Sequence, residues 1–115
     1  MILALVDDLM FTSKIKTAAA QLGVAVTFAR SADAARAAMD MEPPSLVILD
    51  LNGTRLDPIG LVAEMKANPK LAAIPTIGFV SHVQTDVIDA ARRAGVSEVL
   101  ARSAFTQHLG AILSR

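Results

Sequence analysis

The chain has 115 residues, with eleven Lys and Arg balanced by eleven Asp and Glu, a length that suits one domain with a real core. Hydrophobic content is 53% against only 3% aromatic, so the core must be built from Val, Leu, Ile, Ala and Met. Zero net charge and scattered basic residues exclude the basic stripe that nucleic acid requires, and the lack of cysteine excludes a disulfide frame or thiolate metal site.

The first apolar run, Ile2-Leu3-Ala4-Leu5-Val6, meets Asp7-Asp8 after five residues. That is too short for a membrane span or a signal-peptide core, and no basic leader precedes it. A soluble cytoplasmic domain without membrane contact is expected. Further strand-like runs begin near Val24, Leu46, Thr76 and Glu98, and segments with helical spacing fill the intervals.

After the first strand, Phe11, Ile15, Ala18 and Leu22 recur at helical intervals, and Gly23 closes that helix. The second strand, Val24 to Ala29, leads to Ser31 as an N-cap with Asp33 in the first turn. The Ala-rich helix 32–41 must end before Pro43-Pro44. Beyond the third strand, Asp57-Pro58 starts a helix that presents Leu61, Val62 and Met65 and stops near Asn68-Pro69. The fourth strand is Thr76 to Val80. Thr85 is expected to cap the next helix, with Val87, Ala91 and Ala94 as its apolar stripe and Gly95 as its end. The fifth strand is Glu98 to Ala101, and a last helix from about Ala104 buries Phe105, Leu109 and Ile112. This strict alternation demands right-handed crossovers and a parallel sheet, so residues 1–115 are expected to form a single α/β domain, a three-layer sandwich.

The third strand, Ser45-Leu46-Val47-Ile48-Leu49-Asp50, carries the chemistry. An unbroken apolar run fits a strand buried on both faces, and a buried carboxylate is costly, so Asp50 belongs at the strand's open end. Ligand chemistry in parallel sheets collects at those carboxyl ends. Asp7 and Asp8 from strand one, Ser81 from strand four and Arg102 from strand five should converge there with Asp50. Clustered hard oxygen ligands suit Mg²⁺, and Arg102 is a second source of positive charge.

Val6-Asp7-Asp8, Leu49-Asp50 and Ser81, in this order along the whole chain, resemble the receiver domain of two-component response regulators. The resemblance implies the flavodoxin-like sheet order 2-1-3-4-5 with five helices. It implies that Asp50 is the phosphoacceptor, taking its phosphoryl group from a histidine kinase or phosphotransfer protein. It further implies a Mg²⁺ site made by Asp8 and Asp50 directly, by Asp7 through water and by the Asn52 backbone carbonyl. The Ser81 hydroxyl and the cation at 102 would hold phosphoryl oxygens. Downstream proteins would bind the face formed by helix four, strand five and helix five. The role implied is that of a stand-alone signalling phosphoacceptor rather than an enzyme.

Several positions depart from that family. Arg102-Ser103 replaces the usual Lys-Pro, exchanging a compact charge for a planar fork. A cis bond before Ser103 would cost about 3 kcal/mol, so a trans bond is expected. Val99 replaces the aromatic residue that swings inward on phosphorylation. Gly53-Thr54 adds backbone freedom beside Asp50, Pro58 replaces a Gly, and His82 follows Ser81, where it would screen Asp50. These departures motivate an alternative, a pseudo-receiver that keeps the fold as an interaction module. A Mg²⁺-dependent phosphohydrolase is disfavoured by adjacent Asp7-Asp8 in place of Asp-x-Asp, and nucleotide binding by the lack of a Gly-rich loop after strand one.

Overall fold

A computed structural model describes every residue except Thr54, His82 and Val83. The proposed screening by His82 and the effect of Thr54 lie outside the described residues. Strands and helices alternate: β1 (Ile2–Leu5), α1 (Leu9–Leu22), β2 (Val26–Ala29), α2 (Ala32–Met41), β3 (Leu46–Asp50), α3 (Pro58–Ala67), β4 (Thr76–Val80), α4 (Thr85–Ala94) and β5 (Glu98–Ala101). Two short helices, α5 (Arg102–Gln107) and α6 (Leu109–Leu113), end the chain. The sheet is parallel throughout, in the order β2-β1-β3-β4-β5. This is the expected flavodoxin-like arrangement.

The side-chain alternation of the central strands explains their unbroken apolar runs. Leu3, Leu5, Val47 and Leu49 point to one face, where Ala35 and Met39 of α2 and Leu61, Val62 and Met65 of α3 cover them. Ile2, Ala4, Ile48, Ile77 and Phe79 point to the other, against Phe11 and Ile15 of α1 and Phe105, Leu109 and Ile112 at the C-terminus. Among the described residues no helix is long and apolar enough to cross a membrane.

The local signals act largely as expected. Ser31 accepts a hydrogen bond from the Ala34 N–H, and Asp57 accepts one from the Gly60 N–H with Pro58 in the first turn. Gly23 and Gly95 both end helices in the left-handed region, at φ 68° and 108°. No cis peptide occurs among the described residues, so the Arg102-Ser103 bond is trans.

Four details differ from the sequence reading. The second strand starts at Val26 rather than Val24, because the Val24 N–H still donates to the Ala19 carbonyl as part of the α1 terminus. Ala19, not Leu22, continues the buried stripe of α1; Leu22, the last residue of the helix, is 45% exposed. Gln84, not Thr85, occupies the cap position of α4, without a side-chain cap bond among the described residues. The last helix is two pieces broken at His108, so the described residues form six helices instead of five. The Thr106 hydroxyl donates back to the Arg102 carbonyl at 3.0 Å, a contact that bends helices just where this one breaks.

Two glycines matter for space rather than for φ. A Cβ on Gly78 of β4 would lie 2.6 Å from Leu51 Cδ1, so Leu51 packs where a side chain would otherwise stand. A Cβ on Gly53 would collide with the Leu56 side chain, and Gly53 does not use positive φ.

Candidate functional site

The carboxyl edge of the sheet gathers Asp7, Asp8, Asp50, Ser81 and Arg102, as the alternation of strands and helices requires. Asp50 is the last residue of β3 and is 5% exposed. Its Oδ1 accepts the Asn52 N–H at 3.0 Å, and its other oxygen accepts no hydrogen bond among the described residues. Burial pushes the Asp50 carboxyl above its ordinary pKa. The Asn52 N–H and the Arg102 charge oppose that rise, while the neighbouring charges of Asp7 and Asp8 add to it.

Asp8 has a structural task as well. It caps α1, its Oδ1 accepting the N–H groups of Met10 at 2.9 Å and Phe11 at 3.1 Å. Its Oδ2 pairs with Arg102 Nη2 at 3.2 Å. The backbone N–H of Phe11 leads the effects that hold the Asp8 carboxyl below its ordinary pKa, and Arg102 reinforces it. Asp7 is half-buried beside these groups.

Arg102 opens α5 and turns back across the site. Its guanidinium carbon lies 4.7 Å from the Phe11 ring centroid and 5.7 Å from that of Phe79. Phe11, Phe79 and Phe105 form a close aromatic group, with Phe79 and Phe105 centroids 4.9 Å apart. Arg102 Nε is buried with no hydrogen-bond partner among the described residues. Arg102 thus pairs with Asp8 while its guanidinium rests against the rings of Phe11 and Phe79.

Ser81 is exposed at the end of β4, and its hydroxyl meets Asn52 rather than Asp50. Asn52 Oδ1 accepts both the Ser81 N–H at 2.6 Å and the Ser81 hydroxyl at 3.1 Å. Asn52 Nδ2 donates to Gln84 Oε1 at 2.6 Å. The sequence reading used only the Asn52 backbone carbonyl and missed both its side chain and Gln84. An Asn two residues after a strand-end acid was the available signal. Leu9 and Met10, 69% and 77% exposed, also stand beside Asp8 at the start of α1 and were not singled out.

Among the described residues no group of three acidic or histidine side chains makes a ready metal cage. The donor set nevertheless fits Mg²⁺, which takes one or two carboxylates and completes its shell with waters and phosphate oxygens. Asp50 and, once Arg102 leaves its Oδ2, Asp8 would supply the carboxylates, and the Asn52 carbonyl accepts no hydrogen bond among the described residues. The mutual charge of Asp7, Asp8 and Asp50 is what such a cation would relieve.

No protein-family model and no curated protein matches the chain. Solved structures do. The receiver domain of NtrX from Brucella abortus matches at TM-score 0.82 and 25% identity, covering 100% of this chain and 96% of that one. The phosphorylated cyanobacterial phytochrome response regulator RcpA matches at 0.80 and 26%, covering 97% and 86%. The Mn²⁺-bound response regulator Rcp1 matches at 0.83 and 22%, covering 98% and 91%. The chain therefore has the fold of response-regulator receiver domains over nearly its whole length.

Proposed function

We propose that the chain is a cytoplasmic receiver domain that accepts a phosphoryl group on Asp50 from a histidine kinase or phosphotransfer protein and signals by binding other proteins. The observation that carries this reading is Asp50 itself, a desolvated carboxylate at the carboxyl end of β3 with one oxygen held and the other without a hydrogen bond among the described residues. Phosphoryl transfer needs in-line positioning and neutralised oxygen charge more than acid–base chemistry.

The Asn52 N–H fixes one Asp50 oxygen and so aims the second at the incoming phosphorus. That oxygen forms the new P–O bond while the P–N bond of the donor phosphohistidine breaks, its electron pair going to the imidazole. Mg²⁺, held by Asp8, Asp50 and the Asn52 carbonyl with Asp7 through water, would supply charge neutralisation for the phosphoryl oxygens. Ser81 Oγ–H and Arg102 would donate to the same oxygens after leaving Asn52 and Asp8. Leu9 and Met10 offer apolar contact for a donor protein beside the site, and α4, β5 and α5 form the face for a downstream partner.

A second reading, a pseudo-receiver with weak or absent phosphorylation, is favoured by the engagement of Arg102 with Asp8 and of Ser81 with Asn52. One experiment separates the two. The protein is incubated with Mg²⁺ and acetyl phosphate for intact mass, and with beryllofluoride for amide NMR. The receiver reading expects a mass gain of one phosphoryl group that Asp50→Asn removes, and shifts centred on Asp50 and Ser81. Silence in both measurements leaves the pseudo-receiver.

A further inference from the structure

Asn52 uses its side chain to join the phosphoacceptor loop to the loop that carries Ser81 and to the first turn of α4. Its Oδ1 accepts two hydrogen bonds from Ser81, and the Ser81 backbone N–H, which can only donate, settles which end of the carboxamide faces it. The Nδ2 end is thereby turned to Gln84 Oε1 at 2.6 Å. Gln84 is the cap residue of α4 and spends its side chain on Asn52 instead of on the helix N–H groups. Its carbonyl accepts the Ile88 N–H at 3.0 Å, the bond that begins the helix. A continuous set of polar contacts therefore runs from Asp50 through the Asn52 N–H and side chain to Ser81 on one branch and to α4 on the other.

A second observation gives that connection a task. Val99 lies half-buried against the apolar layer that includes α4, with no ring to rotate and no hydroxyl to bond. A response of α4 to Asp50 cannot use ring rotation at 99.

We propose that Asn52 is a positioning residue that holds the Ser81 hydroxyl in reserve and transmits its release to α4 through Gln84. The inference rests on the phosphoacceptor reading of Asp50. The hydroxyl has one hydrogen, so it donates either to Asn52 Oδ1 or to a phosphoryl oxygen, not to both. When Ser81 turns to a phosphoryl oxygen, Asn52 loses one of the two bonds on Oδ1, and the carboxamide can move while still tied to Gln84. Gln84 carries that movement into the first hydrogen bond of α4. The state of Asp50 is thus reported by a helix terminus and needs no aromatic rotor.

The test uses the whole chain, Mg²⁺ and beryllofluoride, read by amide NMR in wild type, Gln84→Ala and Gln84→Glu. In wild type the probe should shift the amides of Asp50, Asn52 and Ser81 and also those of the first turn of α4. In Gln84→Ala the site shifts should persist, while those of α4 fall by about threefold, the scale of one net hydrogen bond. Gln84→Glu keeps an acceptor for Asn52 Nδ2 and should restore the α4 response, which a merely structural role for Gln84 would not require. Full α4 shifts in Gln84→Ala, with the site still responding, overturn the relay and leave Asp50 as phosphoacceptor. Loss of the α4 response in Gln84→Glu also counts against it. No response anywhere in wild type removes the phosphoacceptor reading and the relay together.

Discussion

Arg102 stacks on Phe11, its guanidinium carbon 4.7 Å from the ring centroid, and from there reaches Asp8 at 3.2 Å. The ring comes from α1 and the cation from α5, so one contact fastens the start of two helices. Phe11→Leu keeps much of the apolar bulk and removes the π face. It should lower stability by about 1–2 kcal/mol through lost packing and cation–π attraction. Urea denaturation measures this, and an unchanged midpoint would show that the stack contributes nothing.

Asp50 and Asp8 should give opposite pH dependences. The folded state raises the Asp50 pKa, so the contribution of Asp50 is most favourable below its ordinary 3.8 and is lost as pH rises through the folded-state value. Asp50→Asn should therefore be more stable than wild type at neutral pH, with the gain shrinking as the pH falls toward and below 3.8. Asp8 is held below its ordinary 3.8, so its stabilisation is present above that pH and is lost as pH falls through the lower folded-state value. Asp8→Asn should be the less stable variant at neutral pH and should converge on wild type in acid. Paired denaturation series across this range check both signs.

Mg²⁺ should stabilise the fold by binding the native acidic site. At a free concentration about one hundredfold above its Kd, the gain should be about 2.7 kcal/mol. EDTA should reverse it, and Asp50→Asn should blunt it. Thermal melts with and without the metal give the comparison, and the Asp8, Asp50 and Asn52 amides should be the ones that shift.

Gly78 is required by its neighbour. With the Leu51 side chain where a Cβ would go, Gly78→Ala should cost about 1–3 kcal/mol through overpacking. Combining it with Leu51→Val should recover part of that loss, because the two positions share one space and their effects are not additive. Strict additivity in the double variant would contradict the contact.

The fold was legible because its signals are local and repeated: Ser31, Asp57-Pro58, Gly23 and Gly95 punctuate the elements where the structure shows helix ends. The unbroken run from Leu46 marked the central strand, and its buried pattern on every residue agrees. The edge that collects Asp7, Asp8, Asp50, Ser81 and Arg102 followed from topology alone. What did not follow was which partner each side chain takes. Asp8 is expected as a metal ligand, whereas in the structure it caps α1 and also meets Arg102, a residue distant in sequence. Arg102 in turn rests against rings from α1 and β4. The Asn52–Gln84 bond spans two loops, and no periodicity announces such a pair. The break at His108 was hidden because Phe105, Leu109 and Ile112 keep one apolar face across it.

The double employment of Asp8 bears on how such a chain drifts over evolutionary time. Its carboxylate starts α1 and anchors the cation of α5 whether or not a phosphoryl group ever reaches Asp50. Selection for folding alone would retain it in a chain that carries out no phosphoryl transfer. Asp50, by contrast, is held at the strand end with its carboxyl above its ordinary pKa through burial, so folding alone gives no comparable reason to keep a charge there. On the phosphoacceptor reading proposed above, an acid kept at 50 would record the chemistry, whereas an acid kept at 8 would record only the helix.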